Sequence, residues 1–84
     1  MEEDMKAQVD NLTMKQKMYD ILLAISWADL GKKYFGKSNS WLYHKLDGID
    51  ENGNPTGFSK DESDKLKSAL IDLSDRIRRC ADMI

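Results

Sequence analysis

The feature that most constrains this chain is its terminal apolar stripe, in which Leu66, Leu70, Leu73, Ile77, Cys80 and Ile84 recur at alternating spacings of four and three. That period keeps all six on one face of an α-helix and is incompatible with the two-residue repeat of a strand. Just upstream, Ser59 stands three residues before Glu62, the spacing at which each side chain can bond the other's backbone N–H and start a helix. A long helix over residues 60–83 is expected, and the rest of the chain must pack against its stripe. The repeat is shorter than the roughly three to four heptads of a coiled coil, so the face can serve the chain's own core or a seam with a second copy.

The remaining sequence reads as helical too. Thr13 and Gln16 form a second capping box, followed by Met14, Met18, Ile21, Leu22 and Ile25 along one stripe, which predicts a first core helix over residues 14–24. Met5, Val9 and Leu12 have the spacing to extend that helix, or residues 1–12 form an arm. Ser26 can cap the next helix, residues 26–34, with Asp29 in its first turn and Gly36 beyond its end. Ser38 can cap a third, residues 39–46, with Trp41, Leu42 and Leu46 inward and Gly48 as its stop. Trp27 and Trp41 read as core anchors. Between these helices and the terminal one lies IDENGNPTG, whose Asn-Gly and Asn-Pro pairs make residues 49–58 a loop or a short two-stranded wing. The fold class is all-α, one small domain of about four helices.

Eighty-four residues bury only a modest core, so support from a second copy is expected. The stripe of the terminal helix, with Met5, Val9 and Leu12, is the expected homodimer seam. No apolar run approaches the roughly 20 residues that span a bilayer, and the opening MEED lacks the basic and apolar regions of a secretory signal, so no membrane partner and a cytoplasmic place are expected. Cys80 is the one cysteine and His44 the one histidine, too few for metal-ligand spacing. There is no nucleophile and base at motif spacing and no glycine-rich phosphate loop, so neither an enzyme, a cofactor nor a small-molecule substrate is expected.

The net charge of −2 hides an asymmetry. Residues 26–48 carry Lys32, Lys33, Lys37 and Lys45 against Asp29 and Asp47, a local excess of two positive charges, while each flank is net −2. The cluster Arg76, Arg78 and Arg79 reads as a solvated helix face, with Asp72 and Arg76, and Asp75 and Arg79, at pairing distance along the helix.

The basic segment SWADLGKKYFGKSNSWLYHKLDG also has an ordered set of anchors: Leu30, the small Gly31 where a second helix can cross closely, Gly36 in the turn, then Leu42 and Leu46. With these residues, 26–48 resembles the helix-turn-helix of the phage-repressor-like superfamily. Its turn KYFGKS is one residue longer than usual, and Lys45 occupies a place where a third apolar anchor is common. The resemblance implies that the second helix lies in the major groove behind the Ser38 cap. Asn39, Ser40, Tyr43 and His44 would then face base edges or backbone, and Lys33, Lys37 and Lys45 would neutralise phosphates. The fuller string ISWADLGKKYFGKSNSWLYHKLDG, with ENGNPTGFSKDE and the terminal helix behind it, is similar to a family of small Bacteroides-type bacterial proteins classed as a domain of unknown function. That similarity implies a bacterial, cytoplasmic setting on phage or mobile elements and assigns no site residue.

The expected function is that of a small sequence-specific DNA-binding protein, a transcriptional regulator or mobile-element accessory factor. The alternative is a helical protein–protein interaction module without DNA binding. Lysines gathered on one exposed face favour DNA, whereas scattered lysines beside an exposed apolar patch favour a protein partner.

Overall fold

The computed structural model describes residues 13–84, so the expected N-terminal extension with Met5, Val9 and Leu12 lies outside the described residues. Four α-helices follow in order: α1 Met14–Lys17, α2 Trp27–Phe35, α3 Trp41–Asp47 and α4 Lys60–Asp82, with a 3-10 turn at Tyr19–Ile21 between the first two. No strand is present among the described residues, and the fold is an all-α small domain with a long C-terminal helix. No helix among these residues is long and apolar enough to cross a membrane.

Both capping boxes form. Gln16 N donates to Thr13 Oγ1 at 3.2 Å while Thr13 N donates to Gln16 Oε1 at 2.8 Å. At the head of α4, Glu62 N donates to Ser59 Oγ at 3.1 Å and Ser59 N to Glu62 Oε1 at 2.9 Å. Each box satisfies two backbone donors that a helix start otherwise leaves unpaired.

The first helix is much shorter than residues 14–24. It stops at Lys17, tightens into the 3-10 turn and then runs irregularly to Ser26. Beyond it Trp27, only 1% exposed, donates its indole N–H to Leu22 O at 2.8 Å, which satisfies the one polar atom of a buried ring.

α2 starts as expected, with Asp29 N donating to Ser26 Oγ at 3.3 Å, and ends at Gly36, whose φ of 65° is left-handed. Gly36 N and Lys37 N then take the carbonyls of Lys32 and Gly31, at 3.1 and 3.2 Å. α3 begins two residues later than residues 39–46 would have it. Trp41 N donates back to Ser38 O at 3.2 Å, which closes a turn over residues 38–41, and Ser38 does not cap the helix. α3 stops at Gly48, φ 79°, with its N–H on His44 O at 2.9 Å.

The wing is a tight loop with one isolated antiparallel bridge, Ile49 to Pro55. Asp50 organises it by accepting from Asn52 N and Asn54 N at 2.9 Å each, and Thr56 N returns to Gly48 O at 2.9 Å.

The core comprises Trp27 and Leu30 of α2, Leu42 and Leu46 of α3, and Leu66 with Ala69 of α4. Full burial of each Leu contributes about 2 kcal/mol of transfer free energy. α2 and α3 cross at Gly31, where a Cβ would lie 3.3 Å from Leu42 Cβ, so a larger residue would push the helices apart. Along α4 the stripe is buried at Leu66, half-buried at Leu70 and Leu73, and exposed at Ile77, Cys80 and Ile84.

Candidate nucleic-acid interface

α2 and α3 cross closely at Gly31, and the turn between them leads away from that crossing. Ser38, Asn39 and Ser40 are all exposed in the turn. Tyr43 follows on α3, one helical turn beyond Ser40, and is 44% exposed. None of these four side chains makes a hydrogen bond among the described residues. They present hydroxyl and amide groups free to donate and accept.

Lys37 stands at the edge of this surface, exposed, with its ammonium 5.6 Å from the centre of the Trp41 ring. That ring in turn packs on Phe35 at 5.0 Å. Lys33 is exposed near the end of α2 and, with Lys32, borders the groove between α2 and α4.

Two expected contact residues are turned elsewhere. Lys45 does not reach a phosphate-facing rim: its ammonium donates to Gly57 O at 2.9 Å and to Glu62 Oε1 at 3.1 Å, and lies 5.4 Å from the Trp41 ring centre. Its side chain is only 17% exposed. The physical reason is that the long lysine stem covers the apolar face of Trp41 while its head finds partners at the start of α4. His44 is half-buried and borders a hollow of about 200 Å³ that also holds Asp50 and Glu51. The returning loop thus adds two acidic residues to the lining of the hollow that His44 borders, which makes it a poor place for an anionic backbone.

Glu62 accepts from both Ser59 N and Lys45 Nζ near the site. It is held below its ordinary value of 4.5, first by the N–H of Ser59 and then by Lys45, with partial burial acting in the opposite direction. Lys15 and Asp47 pair at 2.8 Å and tie α1 to the end of α3. On the other side of α2, the expected direct pair of Asp72 and Arg76 is replaced by a relay. Arg76 Nη1 donates to Tyr34 Oη at 3.0 Å, and that hydroxyl donates to Asp72 Oδ2. The Tyr34 hydrogen bond raises the Arg76 pKa further. Asp75 and Arg79 make no ion pair among the described residues. Nor, among these residues, do three His, Cys, Asp or Glu side chains gather to hold a metal ion.

The lysines divide. Lys32, Lys33 and Lys37 are exposed and close in sequence, whereas Lys45 is committed inside, and exposed apolar side chains such as Leu23 lie beyond the groove. No curated protein and no solved structure matches the chain. The family described as Domain of unknown function (DUF5053) matches residues 14–84, and the chain belongs to that family.

Proposed function

We propose that the chain binds DNA through the α2–turn–α3 unit, as a small cytoplasmic regulator or mobile-element factor. Asn39, Ser40 and Tyr43 approach base edges and backbone, Ser38 lies beside them, and Lys37 with Lys33 contacts phosphates. The observation that carries the reading is the rank of four exposed polar side chains, without hydrogen-bond partners among the described residues, on a two-helix unit that crosses closely at Gly31 and Leu42. Such groups suit base edges and phosphates, which offer donors and acceptors, better than they suit an apolar partner. The resemblance to phage-repressor-like helix-turn-helix proteins supports the same surface. Lys45 and His44 have no part in it.

The test is anisotropy of random duplex fragments with the full chain at several salt concentrations. Two phosphate-bound lysines give a slope of log K against log salt of about −1.8. Selection of a preferred sequence should follow, on which Asn39→Ala costs roughly 1–3 kcal/mol, with little loss on random DNA. Lys37→Ala should weaken binding to both alike and take about one from the slope. No retention at low salt removes the reading.

A helical protein-interaction module is the second reading. It is favoured by the dispersal of the lysines and by the apolar surface at Leu23 and Ile77, 99% and 59% exposed.

A further inference from the structure

The first turns of α4 place a further lysine beside the α2–turn–α3 unit. Lys65, exposed on α4, holds its ammonium 5.8 Å from the centre of the Phe35 ring. That ring packs on Trp41 at 5.0 Å, and the Lys37 ammonium stands 5.6 Å from the centre of the Trp41 ring. Two exposed cations thus flank one aromatic pair, which joins the end of α2 to the start of α3. The three separations in series keep the two ammonium groups within about 16 Å of each other, roughly five steps along a duplex strand at 3.4 Å per phosphate. The other lysines of α4 differ. Lys60 is paired with Asp64 at 3.3 Å, and Lys67 is exposed but does not line the hollow beside Phe35 and Trp41.

The charges around that hollow balance in favour of an anion. Lys37, Lys65 and, over the Trp41 ring, Lys45 stand against Asp61 and Glu62, a net of one positive charge. Glu62 and Lys45 pair at 3.1 Å, so their charges cancel locally. Asp61 lies one helical turn before Lys65 and offsets part of its charge, yet neither Lys37 nor Lys65 makes an ion pair among the described residues. Each ammonium therefore offers its donors to an anionic oxygen, and the ring beside it limits the freedom lost on binding. We infer that Lys65 is a phosphate contact of the DNA interface, carried by α4 rather than by the α2–turn–α3 unit, and that with Lys37 it grips the backbone on the Phe35–Trp41 side. This rests on the DNA reading above and extends that interface to a third helix. The Lys45–Glu62 pair holds the head of α4 against α3, so a contact there ties the orientation of the two-helix unit on the duplex to the rest of the domain.

The test is anisotropy of random duplex fragments with the full chain at several salt concentrations. The parent is compared with Lys65→Ala, Lys65→Arg, Lys37→Ala and Lys67→Ala, after circular dichroism has shown the helix content unchanged. Each phosphate contact contributes about 0.9 to the slope of log K against log salt, so three lysines give about −2.7 where Lys33 and Lys37 alone give about −1.8. Lys65→Ala should take about one from the slope and weaken binding to preferred and random sequences alike. Lys65→Arg should keep the slope, since it keeps the charge, and Lys67→Ala should leave it unchanged. An unchanged slope in Lys65→Ala, while Lys37→Ala lowers it, overturns the inference and leaves the α2–turn–α3 reading standing. Equal losses from Lys65→Ala and Lys67→Ala also overturn it, in favour of a general attraction of the chain's charge. No retention by the parent at low salt overturns the inference together with the DNA reading.

Discussion

Lys45→Met separates the interior role of this lysine from the phosphate role its sequence position suggested. Methionine keeps most of the stem that lies on Trp41, so packing is nearly conserved while the charge is removed. What is lost is a pair with Glu62 at 3.1 Å, with side chains 17% and 29% exposed, and a hydrogen bond to Gly57 O at 2.9 Å. Fully exposed pairs contribute about 0.2–1 kcal/mol, and this more sheltered one belongs at about 1 kcal/mol. The bond to the exposed Gly57 carbonyl adds a similar amount, and the ammonium over the Trp41 ring about 0.5 kcal/mol. The substitution should cost about 2 kcal/mol in all, after water re-solvates the freed carbonyl. In a domain of this size that lowers Tm by about 8–16 °C. A double-mutant cycle with Glu62→Gln, which retains the amide oxygen for Ser59 N, should isolate about 1 kcal/mol of coupling. DNA retention should keep the same salt slope. If Tm stays where it is and the slope falls by about one, Lys45 faces phosphate and the placement argued above is wrong.

Other outcomes follow from the same contacts. Because Glu62 is held below its ordinary 4.5, its contribution to stability is present above that value and lost as pH falls through the lowered folded value; urea midpoints should drop across that window in the parent and less in Glu62→Gln. Trp27→Phe removes the indole donor to Leu22 O and leaves unfilled volume in the core, a cost of about 2–3 kcal/mol by urea unfolding, and an unchanged midpoint would refute its role as a core anchor. The exposed end of the stripe at Cys80 and Ile84 should hold two copies together, so light scattering at high micromolar concentration should report a dimer; a monomer there would remove the seam.

Local chemistry was legible in the residues, and partners distant in sequence were not. Thr13 with Gln16, and Ser59 with Glu62, form boxes because all the required atoms lie within four residues, and Ser26, Gly36 and Gly48 act for the same reason. The long helix followed from the periodicity of its stripe and its start at Lys60 from the Ser59 and Glu62 box, whereas how far the stripe is covered did not. The early end of α1 could not, since the apolar stripe of Met14, Met18, Ile21, Leu22 and Ile25 runs on past Lys17 with no residue that marks the stop. The start of α3 turned on a competition between a serine cap at Ser38 and a turn closed by the Ser38 carbonyl, two local solutions that the residue types do not separate. For the site, Tyr43 is exposed on α3, while Lys37, Ser38, Asn39 and Ser40 are exposed in the turn before it rather than at the start of the helix. Lys45 and His44 are not, because Glu62 and the returning Asp50 loop meet α3 only in three dimensions.

The two halves of α4 have unequal support, and that difference sets where the domain opens first. Its buried residues, Leu66 and Ala69, lie in the half nearer Ser59, while from Ser74 to its end at Asp82 only Arg76 is even partly covered. A nine-residue helix of that kind is shorter than the roughly 12–15 residues at which isolated helices become marginally stable in water. Amide exchange should therefore be graded along a single unbroken helix. Amides around Leu66 should exchange only with global unfolding, whereas those beyond Ser74 should exchange through fraying that leaves the α2–α3 unit intact.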